Sequence, residues 1–182
     1  MARLKLNSKQ RRLWLVANFL IRVTLLSLPL YLVLWINPNM DFLQYSVRDN
    51  VLSLAGLFNI NANVDGFSLN LKTVDGPVTI DIAADCTGWK SAVAYLALVL
   101  AVPKVDNKKR LMALMGIPIL YAVNVGRIAF LLWVMTNFGL GYFHIFHEYL
   151  WKLGLSLAVL VVWYVWLTKI AGEIRVEKFI SY

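Results

Sequence analysis

The chain has 182 residues, 60% of them hydrophobic and only 15% Asp, Glu, Lys or Arg, with a mean hydropathy of +0.65 and a formal net charge of +8. A soluble domain carries about a quarter charged residues, so this composition excludes a disordered chain, a collagen-like chain and an ordinary soluble enzyme. The basic residues form clusters that abut apolar stretches, which is how topology signals are written; a phosphate-binding patch would gather them on one face, so no nucleic-acid partner is expected.

The first apolar run, 13–36, has no small-residue cleavage site and is too long for a signal-peptide core, so it reads as a spanning helix. Arg22 is its one charge. A lipid-facing charge is costly, so Arg22 is expected to snorkel or to face a partner helix. Asn37-Pro38-Asn39 stops the helix. In 40–60, Leu43, Val47, Val51, Leu54 and Leu57 recur at helical spacing, with Gln44, Arg48, Asp49 and Asn50 opposite. That pattern predicts an amphipathic helix lying at the membrane surface. Across 64–82, two alternating segments, Phe67–Leu71 and Val78–Ile82, flank Thr73-Val-Asp-Gly-Pro77. They predict a β-hairpin outside the bilayer.

The second span is expected at about 87–102, short and closed by Pro103, followed by a basic loop from Lys104 to Arg110. The third is expected at about 111–134. The stretch 136–142, with Asn137, Gly139 and Gly141, reads as a turn, and the fourth span covers about 149–170. With the N-terminus inside, the inner segments hold Arg3, Lys5, Lys9, Arg11, Arg12, the Lys104–Arg110 loop, Lys169, Arg175 and Lys178. The outer segments then hold only Arg48, Lys72, Lys90 and Lys152. This is a strong positive-inside bias. The expected fold is therefore an all-α integral membrane protein forming one domain over 1–182. It has about four spanning helices, an interfacial helix and a small extracytoplasmic hairpin, with both termini cytoplasmic.

Cys86 is the lone cysteine, which excludes an intrachain disulfide and a multi-cysteine zinc site. Two histidines without H-E-x-x-H make a metalloprotease unattractive. Cys86 lies in Asp85-Cys-Thr-Gly-Trp89 where the second span begins. The helix dipole there would lower its pKa, with Asp85 opposing; alternatively it is a small buried hydrophobe. Arg127, in Asn124-Val-Gly-Arg127, is a guanidinium inside the third apolar run. It marks either a function or an ion pair with Asp85 or Glu148. Asn124 either contacts substrate backbone or ties two helices together. His144 and His147 precede the fourth span, as interfacial anchors or as a base. The topology delivers thiol, guanidinium and imidazole to one membrane face, and a Cys with a His is a nucleophile with its general base.

At these residues the chain resembles the exosortase/archaeosortase family, multi-pass membrane proteins similar to sortases in chemistry but unrelated in fold. The resemblance rests on Cys86-Thr87-Gly88, Asn124-Val-Gly-Arg127 and His147-Glu-Tyr-Leu-Trp151, and covers roughly 82–167. Many members have more spanning segments than this chain. The resemblance implies that Cys86 is the nucleophile, Arg127 the stabiliser and His147 the base, His147 being preferred to His144 because it directly precedes the fourth span. It implies substrate proteins with a C-terminal signal (a recognition motif, a transmembrane helix and a basic cluster) that are cleaved through a thioester. A membrane lipid amine is the possible acyl acceptor, water the other. It also implies a prokaryotic cell membrane with the active site on the extracytoplasmic face, and no metal, nucleotide or other cofactor. A non-catalytic membrane subunit docking a partner through the hairpin is the alternative reading, and a small anion transporter a third.

Overall fold

The computed structural model describes residues 7–36, 40–103 and 105–171. Arg3, Lys5, the Asn37-Pro38-Asn39 stop, Lys104, Arg175 and Lys178 lie outside the described residues, as do the side chains of Arg11, Arg12, Trp151 and Lys152. Helix α1, Ser8–Ile36, contains Pro29 without ending there, and packs on helix α3, Trp89–Ala101. Its window Val16–Val33 has a mean hydropathy of 1.8. Arg22 is on its exposed surface.

Helix α2, Asp41–Gly56, buries Val47, Val51 and Ala55 completely. This is the apolar stripe read from the sequence, but it is covered by protein, not laid against a membrane surface. Its partner is the long helix α5, Gly116–Phe138. The polar side of α2 is engaged as well. Ser46 shares a hydrogen bond with the Tyr121 hydroxyl at 2.9 Å, Asn50 Nδ2 donates to the same oxygen at 3.0 Å, and Gln44 Nε2 donates to the Ile82 carbonyl at 2.7 Å. Leu57 falls beyond the helix end and is exposed.

The expected hairpin is present as β2, Ser68–Thr73, and β3, Gly76–Asp81, in an antiparallel sheet of order β1-β2-β3. The added strand β1, Ala62–Asp65, has no buried residue. Its Ala62-Asn-Val-Asp65 does alternate apolar and polar, but over only four residues, the shortest run that reads as a strand. Leu69 and Leu71 of β2 point into the first core with Val47, Val51, Ala55, Ile82, Leu132 and Met135.

Helix α4, Asn107–Ala113, occupies most of what the sequence presents as a basic loop. Its cations are used locally: Arg110 Nη2 donates to the Val102 carbonyl at 2.9 Å and Lys109 Nζ to the Ala171 carbonyl at 2.9 Å. The segment 136–142, expected as a turn, is helical except at Gly139, where φ is +88°. Helix α6, Leu140–Tyr149, starts at once because the Asp75 carboxylate, in the β2–β3 turn, accepts the Leu140 N–H at 2.7 Å. That cap is 65 residues away in sequence, so no local signal announces it. The helical path then continues through a π-helical stretch, Leu150–Gly154, helix α7, Leu155–Val165, and a second π-helical stretch, Trp166–Ala171.

A second core joins Tyr95, Val99, Ala113, Leu120, Val159 and Trp166. Helix α5 threads both cores, with Leu120 in the second and Val125 in the first. Asn124 and Arg127 thus sit where one core gives way to the other. Two helical stretches, Val16–Val33 and Asn107–Phe138, are long and apolar enough to cross a bilayer; Trp89–Ala101 and Leu155–Ala171 are apolar but shorter.

Candidate active site

The chain leaves β3 through buried Ile82 and makes a single 3-10 turn, Ala84–Thr87, before α3. Cys86 lies on this turn, ahead of the helix. Its N–H donates to the Ala83 carbonyl at 2.8 Å, and the buried Thr87 hydroxyl donates to the Ala84 carbonyl at 2.8 Å. Gly88 follows at φ +80°, a left-handed geometry natural to glycine. The thiol is half-buried against the first core. Burial pushes its pKa up, and this outweighs the Arg127 charge and a separate hydrogen bond from the Ala83 backbone to the sulfur, which push it down; Asp85 adds to the rise. The sequence expectation of a thiol activated by a helix start is therefore corrected: burial is the larger effect, and Cys86 rests as a neutral thiol. Asp85 itself is paired with Lys90 at 2.8 Å.

Helix α5 meets this turn side-on. Asn124, fully buried, donates from Nδ2 to the Cys86 carbonyl at 2.7 Å. Arg127, half-buried, is three residues further along and so on a neighbouring face of the helix. Its charge acts on both Cys86 and His147.

His147 is half-buried on α6, whereas His144 is exposed. The His147 ring stacks on Phe143, centroids 5.4 Å apart and planes at 24°, and Phe143 packs on the same core as Cys86. Burial lowers the His147 pKa most, followed by the Arg127 charge and then by His144. The π-helical stretch begins just beyond it; such wide turns recur at functional sites. Arg127, near a helix centre, is thus the charge common to Cys86 on its 3-10 turn and His147 near its helix end. Sequence reasoning did not find Phe143, which orients the ring, or Asp75, which starts the helix. The glycine at 139 after a long apolar run was the available hint of a helix boundary.

Beside this cluster lies an apolar groove of about 330 Å³ between α2 and α5, lined by Leu54, Phe58, Gly126, Ala129, Phe130 and Trp133. A polar cleft of about 520 Å³ is formed by the sheet and the end of α5, with Asn61, Asn63, Asn70, Lys72 and Asn137 in its walls. Among the described residues, no three His, Cys, Asp or Glu side chains cluster as metal ligands do.

Two long apolar helices, one of them carrying a half-buried arginine, are the features of a helical membrane protein. The family model of the transmembrane exosortases (Exosortase_EpsH) matches residues 6–164. The chain belongs to that family, and the match takes in α1, α2 and the sheet, which the resemblance of the three motifs alone did not cover. Membership points to a peptidase or transpeptidase. No curated protein and no solved structure matches the chain.

Proposed function

We propose that this protein is an intramembrane cysteine transpeptidase. It cleaves the C-terminal sorting signal of secreted or surface proteins and passes them to a lipid anchor. One observation carries the reading: Cys86 and His147 come from distant segments, and the charge of Arg127, from a third, acts on both. The positive-inside charge pattern supports four spans, with this cluster at the extracytoplasmic rim of a multi-pass protein of the prokaryotic cell membrane. The two apolar helices that fall short of a full bilayer would sit where the bundle is thinnest.

At rest the proton is on sulfur, because the thiol is pushed up and the imidazole down. When the scissile carbonyl arrives, His147 takes the proton from Sγ and the sulfur forms a bond to the carbonyl carbon. Arg127 stabilises the thiolate and then the oxyanion. The tetrahedral intermediate collapses to a thioester as the C–N bond breaks, and the imidazolium gives its proton to the leaving amine. The same Arg127 charge that disfavours imidazolium makes it a readier acid at this step. The departing fragment is the apolar helix with its basic tail. A lipid amine then attacks the thioester and restores the thiol; water in its place would release a free carboxylate.

The test is capture of the acyl-enzyme. Incubation with a peptide bearing a recognition motif, an apolar helix and a basic tail is expected to add the acyl fragment's mass to Cys86. Cys86→Ala is expected to insert normally and to lose processing by several powers of ten. Normal processing by Cys86→Ala overturns the reading and leaves the non-catalytic docking subunit.

A further inference from the structure

We infer that Asn124 is a positioning residue for the Cys86 turn, holding it by one donated hydrogen bond and one close-packed seat against Gly88. The inference rests on the cysteine-transfer reading and goes beyond it by giving the asparagine a role distinct from that of the arginine.

The turn that carries Cys86 is four residues long, too short to be rigid by its own hydrogen bonds. Asn124 Nδ2 donates to the Cys86 carbonyl at 2.7 Å, fixing the backbone of the nucleophile itself. The seat is equally specific. A Cβ added at Gly88 would lie 3.2 Å from both Cγ and Nδ2 of Asn124, and φ there is +80°. Glycine therefore serves the turn twice, by its backbone angle and by leaving room for the amide.

The other end of the amide carries a cost. Asn124 is 0% exposed, yet its Oδ1 has no hydrogen-bond partner among the described residues. A buried polar side chain retained only to join two helices is expected to satisfy both ends, since an unmade buried hydrogen bond is destabilising. Here one end is spent on the cysteine carbonyl and the other is left over. The chemistry that benefits is positional. Asn124 and Arg127 stand on the same helix, so α5 holds the nucleophile's backbone with one side chain and places the cation with the next. The Cys-Thr-Gly and Asn-x-x-Arg segments are in this sense two halves of one clamp.

The experiment compares Asn124→Ala, the isosteric Asn124→Asp, Gly88→Ala and the Gly88→Ala/Asn124→Ala pair with the unsubstituted protein. Thioester formation with the signal peptide is resolved into kcat and KM, and alkylation of Cys86 by an impermeant maleimide is followed across pH. Asn124→Ala is expected to lower kcat about 10- to 100-fold, as small misplacements of reacting groups do, with little change in KM. Its alkylation midpoint should shift because the sulfur moves relative to Arg127. Asn124→Asp fills the same volume but donates only when protonated, so its kcat relative to the unsubstituted protein at the same pH should fall as pH rises through the buried carboxyl's pKa and recover as pH falls. Gly88→Ala should cost less on the Asn124→Ala background than alone, because the atoms its Cβ meets are gone.

Asn124→Ala that inserts and keeps both the kcat and the alkylation profile of the parent overturns the inference. If that variant does not insert, Asn124→Asp decides, and parental kcat at every pH overturns it. Should Cys86→Ala stay active, the transfer reading falls whatever Asn124 does.

Discussion

Cys86 and His147 are displaced in opposite senses, the thiol upward and the imidazole downward, both chiefly by burial. An ion pair at rest is therefore disfavoured, and Arg127 is the group that partly offsets this at the sulfur. Alkylation of Cys86 should rise with pH about a midpoint above that of an ordinary thiol. Arg127→Ala, which removes the largest downward influence, should move the midpoint higher still. A stopped-flow alkylation profile checks both, and a midpoint below the ordinary thiol range would contradict the burial argument. In the proposed mechanism His147 must be unprotonated for turnover. Because its pKa is below the usual imidazole value of about 6.5, the rate should hold as pH falls through that value and drop only beneath it. The three residues of the proposed site were legible in the sequence because each is chemically out of place in an apolar chain. The state of the thiol was not: a helix dipole can be read from sequence, but the depth of burial depends on Val125, Leu132 and Met135, which pack there only after folding.

At the level of elements, the sheet acts on the helix that carries His147. Asp75 caps α6 through Leu140, and a Cβ at Gly139 would run into the same carboxylate. Asp75→Ala should cost about 0.5–2 kcal/mol, the range of lost N-caps. Processing should fall as well, since the start of α6 frays, and the loss is measurable by denaturant titration in detergent alongside the acyl-enzyme assay. Asp75→Asn keeps an acceptor and should retain most of both. Elements with a strong pattern were legible: α1 follows from its apolar run, and α2 and the β2–β3 alternation from apolar spacing. The residues that escaped are those whose partners are remote. Gly139 and Gly141 suggest a turn when only neighbours are considered, but with Asp75 in place the interruption shrinks to Gly139 alone. The basic residues after Lys104 look like a loop, yet Lys109 and Arg110 have carbonyls waiting at Ala171 and Val102, and the backbone coils between them.

For the whole molecule, the proposed topology sets the sheet and the cluster outside and α4 inside. On a Cys86→Ala background, Val74→Cys in the exposed β2–β3 turn should label with an impermeant maleimide in intact cells. Lys108→Cys on the exposed side of α4 should label only after lysis. The reverse pattern would invert the protein and leave the cluster facing the cytoplasm. The inner end is closed by α4 and the last π-helical stretch, with Trp166 Nε1 donating to the Lys109 carbonyl at 2.9 Å. The wide turn at Leu150–Gly154 has a geometric consequence. In an unbroken α-helix, His147 and Val159 would point about 120° apart around the axis, given 3.6 residues per turn. A π-type widening absorbs one residue's worth of rotation, about 100°. By that arithmetic the imidazole and the buried valine fall on nearly the same flank, so a phase slip in that stretch would turn the ring away from the side by which α7 is seated in the second core.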